Sequence, residues 1–387
     1  MKKRFCALLL AGVTAFSCLL AGCGGQKSSE AEPVKIGLLY SLSGVTSVSE
    51  KQLYDGTKLA IDSINKSGGV HGRKIETVFA DYASDPAKAA DKARKLILDD
   101  KVTAIIGTCS SSARKAVKLV VEKYHSLLIY PQSYEGQEQS KNIIYVGCIP
   151  NQQAEIFVGW LLKNTGKKFF LIGCDFVYPR VENKLAKQYL AAGGGEVVGE
   201  EYVPYGSTDF SSVLNKIRTS KPDVVYSELT GDSNVAFYKQ YNVYGLKSTI
   251  ASLTTNETVL QSIGAGASKG SYICVDYFKS IDNPLNKKFV QQYADSVKDG
   301  TQPSYAVMGG YNSGLFLGAA LKKANDPANT QQVIDAFKGL KIGSPSGSIS
   351  IDPSNNHACL YCRIGKVDGS GVVRVIYQSE KPIAPKP

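Results

Sequence analysis

Histidine is scarce in this chain. His71, His125 and His357 are the three among 387 residues; His71 sits in a glycine-rich turn and the other two stand alone. The single GxSxG, 266–270 (GASKG), comes before a strand-like run where a nucleophile elbow needs one ahead of it; no HExxH or Walker loop occurs, and no GxGxxG follows a strand-like run. Those patterns place a nucleophile, a metal or a phosphate. Without them no triad, metal site or nucleotide cradle assembles, which points to binding without turnover and to no cofactor and no metal. The glycine run Gly193–Gly195 follows a helical stretch and precedes a strand, so it reads as a helix stop. Past the N-terminal segment, no apolar run approaches the roughly 20 residues of a membrane span. The formal charge is +11, yet the basic residues are interleaved with acidic ones and form no stripe for nucleic acid.

What is present begins at the N-terminus. Lys2, Lys3 and Arg4 precede an apolar run from Cys6 to Leu20, which closes on Leu20-Ala21-Gly22-Cys23. This reads as a signal peptide over residues 1–22 with a lipoprotein-type cleavage site, leaving Cys23 to carry a diacylglycerol. Two or more acyl chains hold a protein on a membrane where one does not. An ordinary cleaved signal and an uncleaved anchor are the other readings of the segment. Residues 23–33, rich in Gly, Ser and Glu, read as a flexible tether. The expected location is the outer face of the cell membrane. Six cysteines remain: Cys109, Cys148, Cys174, Cys274, Cys359 and Cys362. Four of them end apolar runs and read as small buried hydrophobes. An oxidising exterior also permits disulfides, whose pairing the sequence does not assign. Cys359 and Cys362 form a CxxC in a β-like run, away from any helix start that would stabilise a thiolate.

Strand-like and helix-like runs alternate from Val34 to Val275. Strands are expected near 34–40, 74–81, 102–107, 127–130, 168–173, 196–203, 223–226, 248–251 and 271–275, with helices between them. Asp85-Pro86 supplies an N-cap followed by proline at the first helical position. Helices fill much of 284–340, and the tail from 347 to 378 reads as three strands. Such alternation implies an α/β fold with parallel sheets flanked by helices, here as two lobes.

Ligands of open α/β sheets sit beyond the carboxyl ends of the strands. Those ends carry Ser41 and Ser43, then Thr108 to Ser111, Tyr130 to Tyr134, Asp175 to Tyr178, Gly231-Asp232 and Ser252 to Thr255. Ser110 to Ser112 also suit N-capping, so each hydroxyl has a structural reading beside the functional one. A helix starting in that cluster offers free N–H groups to a carbonyl or carboxylate.

The order of these stretches resembles the type I periplasmic-binding-protein family, and within it the branch binding urea and short-chain amides. The stretches are 36–44 (IGLLYSLSG), 111–117 (SSARKAV), Tyr130-Pro131 with Tyr134-Glu135-Gly136, and 150–153 (PNQQ). Asp175 with Tyr178-Pro179-Arg180, 231–234 (GDSN), 251–255 (ASLTT) and 355–357 (NNH) continue them. The resemblance implies a cleft between two lobes joined by three crossings, with 34–150 and 277–346 in lobe one and 151–276 and 347–387 in lobe two. It implies the solute receptor of an ABC importer, partnered by membrane permease subunits. It places Ser111 and Tyr130 on the ligand from lobe one, and Tyr178, Asp232 and Thr254 from lobe two. Ser110, Cys109 and Gln132 complete the expected site. The urea and amide binders tend to carry an aromatic residue at the position of Cys109 and Val or Thr at that of Gln132. A polar ligand somewhat larger than urea is therefore expected. An amino-acid receptor of the branched-chain type is the alternative, with Ser111 and the helix start there holding the carboxylate and Asp232 the ammonium. A cytoplasmic amide sensor and an enzyme are the readings from other classes.

Overall fold

The computed structural model describes residues 32–387. The expected signal peptide, Cys23 and the tether up to residue 31 lie outside the described residues. From Val34 onward the chain builds two parallel-rich sheets, each covered by helices.

The first sheet is all parallel, in the order β2-β1-β3-β4-β5. Its strands are β1 (Val34–Tyr40), β2 (Ile75–Asp81), β3 (Ala104–Gly107), β4 (Leu128–Tyr130) and β5 (Ile143–Tyr145). Helices α1 (Ser47–Lys66), α2 (Pro86–Leu98) and α3 (Ser111–Lys123) make the crossovers. Burial explains the strands: every residue of β3, β4 and β5 is inaccessible, as a sheet covered on both faces requires. The proposed start of α2 holds, with the Asp85 carboxylate accepting from the N–H groups of Ala87 at 2.8 Å and Lys88 at 3.2 Å.

The chain then crosses to the second lobe through a 3-10 turn, Pro150–Gln152. There follow α4 (Ala154–Asn164), β6 (Lys168–Cys174), α5 (Val177–Ala192), β7 (Glu196–Val203), α6 (Ser211–Ser220) and β8 (Val224–Glu228). Next come α7 (Gly231–Val243), β9 (Thr249–Ser252), α8 (Glu257–Ile263), α9 (Ala265–Ser268) and β10 (Tyr272–Val275). Helices α10 (Pro284–Ser296), α11 (Tyr305–Lys323) and α12 (Thr330–Phe337) lead to β11 (Lys341–Ser344), β12 (Gly347–Ile351) and β13 (Ala358–Cys359). The last strands, β14 (Arg363–Val367) and β15 (Val373–Gln378), return to the second sheet, whose order is β15-β14-β10-β9-β8-β6-β7.

Two local expectations change. Residues 143–145, which are not among the expected strands, form β5; a three-residue strand is too short to show periodicity. The tail holds four strands where three were expected, and they divide between sheets. β12 and β13 pair with β11, and His357 bridges to Tyr145 of the first sheet, while β14 and β15 pair antiparallel beside β10. The chain therefore passes between the sheets after β5, after β10 and before β14.

Helices α1 and α11 touch backbone to backbone. A Cβ on Gly56 would stand 1.9 Å from the Val307 carbonyl oxygen, and one on Gly310 would stand 2.0 Å from that of Leu53. Neither obstacle is a side chain that can rotate away. Gly310→Ala is therefore expected to destabilise the protein by about 1–3 kcal/mol through overpacking. Gly159→Ala in α4, where an added Cβ meets nothing within 4 Å, is expected to be neutral or stabilising by up to about 1 kcal/mol. Urea denaturation of the two variants measures the difference.

Candidate functional site

Between the two sheets, at the carboxyl ends of their strands, lies a cavity of about 80 Å³. The lobe-one side of its wall is Thr46, Ser49, Cys109, Ser110, Ser111, Gln132 and Ser133, joined by Tyr305 and Ala306 at the start of α11. Facing them are Phe176, Tyr178, Tyr205, Thr230, Gly231, Leu253, Thr254, Asn256 and Val259. No charged side chain is among them.

The wall is instead polarised by helix starts. The N-caps of α1, α3, α5, α7, α8 and α11 are Thr46, Ser110, Phe176, Thr230, Asn256 and Ser304. All but Ser304 line the cavity, and the first two residues of α11 stand in for it. The first N–H groups of a helix have no partner within the helix, and its dipole favours negative charge there. At α1, α5 and α7 no capping side chain takes these groups. The arrangement offers a carboxylate or carbonyl several donors without a fixed cation.

Behind the wall the side chains are ordered by buried carboxylates. Glu50 accepts from the Ser41 N–H at 2.7 Å, from Thr46 Oγ1 at 2.6 Å and from the Tyr82 hydroxyl, and burial raises its pKa to about 7. Ser111 donates to Glu135 Oε2 at 2.5 Å. Arg114, with no exposed surface, spends Nη1 on Ser111, Nη2 on Glu135 and Nε on Glu138, at 3.2, 3.2 and 3.1 Å. Its guanidinium also lies over the Tyr134 ring at 4.1 Å and over Tyr130 at 5.0 Å.

Of the expected site residues, Cys109, Ser110, Ser111, Gln132, Tyr178 and Thr254 meet at the cavity. Two do not. Tyr130 is wholly buried behind the wall, where its hydroxyl donates to the Cys109 carbonyl and supports the strand end. Asp232 sits in the first turn of α7 with its side chain exposed and does not line this cavity; Gly231 before it does. The sequence reading missed Tyr205, Tyr305 and Asn256. Asn256 carried a signal, a capping residue directly after the strand-end run 252–255. Tyr305 carried none, since α11 reaches the cleft only through its long packing against α1.

The CxxC thiols are also placed. Cys362 Sγ lies 3.4 Å from Cys274 Sγ, while Cys359 points elsewhere on β13, and all six described cysteines are free thiols. His357 is buried, hydrogen-bonded through Nε2 to the Tyr134 hydroxyl at 2.6 Å and stacked on Tyr145 at 4.1 Å; burial lowers its pKa to about 4. Among the described residues no three His, Cys, Asp or Glu side chains gather to hold a metal ion.

The profile of the periplasmic binding protein domain matches residues 34–387. The chain belongs to this family. Among curated relatives, Leu/Ile/Val-binding protein homolog 6 of Brucella melitensis is 25% identical over 342 residues, covering 84% of this chain and 85% of the relative. The Leu/Ile/Val/Thr-binding protein of Salmonella typhimurium is 26% identical over 344 residues, 86% of this chain and 92% of the relative. Among solved structures, a solute-binding protein of an ABC transporter from Rhodopseudomonas palustris, in complex with 3,4-dihydroxy benzoic acid, superposes with a TM-score of 0.83. It is 27% identical and the match covers 91% of this chain and 98% of that one. The two-lobed α/β expectation is thus met. The urea and amide branch is not supported: these relatives name branched-chain amino acids and an aromatic acid, and none names urea or an amide.

The buried carboxylates set a pH dependence. Burial raises Glu182 to about 8 and Glu50 to about 7, both above the 4.5 of an unfolded glutamate. The native state then keeps protons that the unfolded chain releases, so this contribution is full below pH 4.5 and lost as pH rises towards 8. The denaturation midpoint of the ligand-free protein is expected to fall between pH 5.5 and pH 8.5, and Glu182→Gln to flatten that slope.

Proposed function

We propose that this protein is the extracytoplasmic solute receptor of an ABC importer and that its ligand is a small amino acid with an aliphatic side chain. The observation that carries the reading is the convergence of six helix starts on a cavity with no charged side chain in its wall. Uncapped N–H groups suit a carboxylate. Phe176, Leu253, Val259 and Ala306 give an apolar surface for a hydrocarbon side chain. The names of the curated relatives support the same class of ligand. We take the lobes as 34–150 with 277–359 and 151–276 with 363–387, because β12 and β13, expected in lobe two, pair with β11 before the chain passes to β14. Permease subunits are the proposed partners, and Cys23 the proposed lipid anchor.

A second reading is an aromatic carboxylate. The rings of Phe176, Tyr205 and Tyr305 on the wall favour it, as does the Rhodopseudomonas palustris relative. A thermal-shift panel separates the readings, since a ligand of the native state raises the melting temperature. Leucine, isoleucine or valine is expected to stabilise the protein by about 2.7 kcal/mol at a hundredfold excess over Kd, with urea, acetamide and benzoate giving no shift. A response to urea or acetamide alone would return the protein to the amide class; a response to benzoate alone would favour the second reading.

The anchor has its own test. Cys23→Ser is expected to move the protein from the membrane to the soluble fraction with ligand affinity unchanged. Retention in the membrane fraction would mean an uncleaved anchor instead.

A further inference from the structure

Two of the described thiols touch. Cys274 stands next to the end of β10, where the chain leaves on its second crossing, and Cys362 directly precedes β14, where the chain comes back on its third. The two strands pair antiparallel, with Cys274 opposite Ile364. Strand side chains alternate between faces, so Cys362, two residues before Ile364, shares the face of Cys274. The sulfurs lie 3.4 Å apart, which leaves no room for an atom between them. Both residues are buried, in one apolar cluster with Tyr226, Ala251, Leu253 and Ile364. The other thiols lie elsewhere. Cys148 and Cys174 belong to a different cluster, Cys109 lines the cavity and Cys359 is on β13 of the small sheet. A disulfide holds its sulfurs about 2 Å apart, so rotation of the two side chains has about 1.4 Å to close.

We propose that Cys274 and Cys362 are the pair that oxidises to a disulfide outside the cell, and that the bond pins the second and third crossings together at their lobe-two ends. The proposal rests on the extracytoplasmic reading of the protein, since such bonds persist in oxidising compartments and are rare in the cytosol. The chemistry is thiol–disulfide exchange with a disulfide oxidant. The thiolate of one cysteine attacks the oxidant's S–S bond and forms a mixed disulfide. The thiolate of the other then displaces the oxidant's remaining sulfur. One S–S bond breaks and one forms; the two cysteines give up two electrons and two protons, and the oxidant leaves as two thiols. In the folded protein burial shuts both sulfurs away and raises the Cys274 thiol well above its usual range. Exchange therefore belongs to the stage of folding before β14 docks on β10, and the finished bond is shielded from reductants. Arg363, beside Cys362, already donates to the Asp276 carbonyl, so the bond reinforces a contact between the same two crossings. It joins residues 88 apart, and closing so long a loop restricts the unfolded chain. It does not span the cleft, so the lobes stay free to open and close.

The test follows the thiols along two routes. The protein is purified from its native cells without reductant, denatured, and treated with iodoacetamide. Peptide mass spectrometry is expected to find Cys109, Cys148, Cys174 and Cys359 alkylated and Cys274 joined to Cys362. The same chain made in a reducing cytoplasm, unfolded, and refolded with oxidised and reduced glutathione is expected to acquire the same bond. Refolded in dithiothreitol instead, it is expected to melt about 5 °C or more below the linked form. Cys362→Ala is expected to melt at one temperature after either refolding, while Cys148→Ala keeps the bond and the difference. Free thiols at 274 and 362 after both routes would overturn the proposal, as would a bond from either residue to Cys148 or Cys359. Equal melting temperatures for the linked and reduced forms would overturn the pinning role. A bond formed on refolding in glutathione but missing from the native protein would uphold the pair and refute the extracytoplasmic reading.

Discussion

Arg114 has no exposed surface, and its guanidinium meets the desolvation cost of that position by placing every nitrogen against a partner and lying over the rings of Tyr134 and Tyr130. A buried ion pair is stable only when the remaining hydrogen-bonding capacity is filled. Here the filling groups come from separate parts of the chain. Ser111 is the first residue of α3, Glu135 and Glu138 lie on the connection after β4, and Tyr145 of β5 donates to Glu138 at 2.9 Å. Tyr134 carries the chain of contacts to His357, next to the third crossing. Removing the guanidinium would strand two carboxylates in the interior and release the lobe-one wall of the cavity, since Ser111, Gln132 and Ser133 all hang from the segments it joins.

The crossings between the lobes are stitched in a different way. Gln152 Nε2 donates to the carbonyls of Ala358 at 2.8 Å and Ile383 at 2.9 Å. Gln153 Nε2 donates to Leu253 at 3.3 Å and to Cys274, and Arg363 donates to Asp276 and, at 2.7 Å, to Ser346. These bonds tie each crossing to its neighbours, and amide and guanidinium groups reach backbone carbonyls that the strand ladders leave free. They do not span the cleft. A rotation of one lobe against the other can leave them intact, which is the behaviour a hinge needs.

The sequence made the alternating core legible because parallel strands covered on both faces are continuous apolar runs, and the helices between them keep a 3.6-residue period. It made the strand ends legible for the same reason: once a strand is placed, the residues that follow it face the cleft. Six of eight expected site residues meet there. Tyr130 and Asp232 fail on orientation. Tyr130 belongs to the strand itself and its side chain packs into the core, and Asp232 lies one residue past the position that lines the cavity. Tyr305 and the division of the tail between sheets depend on contacts made far along the chain, which local pattern does not encode. The choice between urea and an amino acid was illegible for a further reason. Both ligands have a planar acceptor end and N–H donors, and the same wall of hydroxyls and helix starts suits either.

Under the proposed function, that wall also gives a ligand the means to drive closure. A ligand shifts an equilibrium between open and closed forms only by the difference in its affinity for the two. Contacts made to one lobe alone exist in both forms and shift nothing. In this cavity the helix-start donors come in interlobe pairs. The helix starts of α1, α3 and α11 oppose those of α5, α7 and α8. A small solute fills both halves of each pair only when the lobes are together. Fixed charges in the wall would bind the solute to one lobe while the cleft was still open and wet. Neutral groups polarised by helix dipoles strengthen as water leaves, because the same partial charges act through a lower dielectric. The energy of capture is thereby concentrated in the closed form.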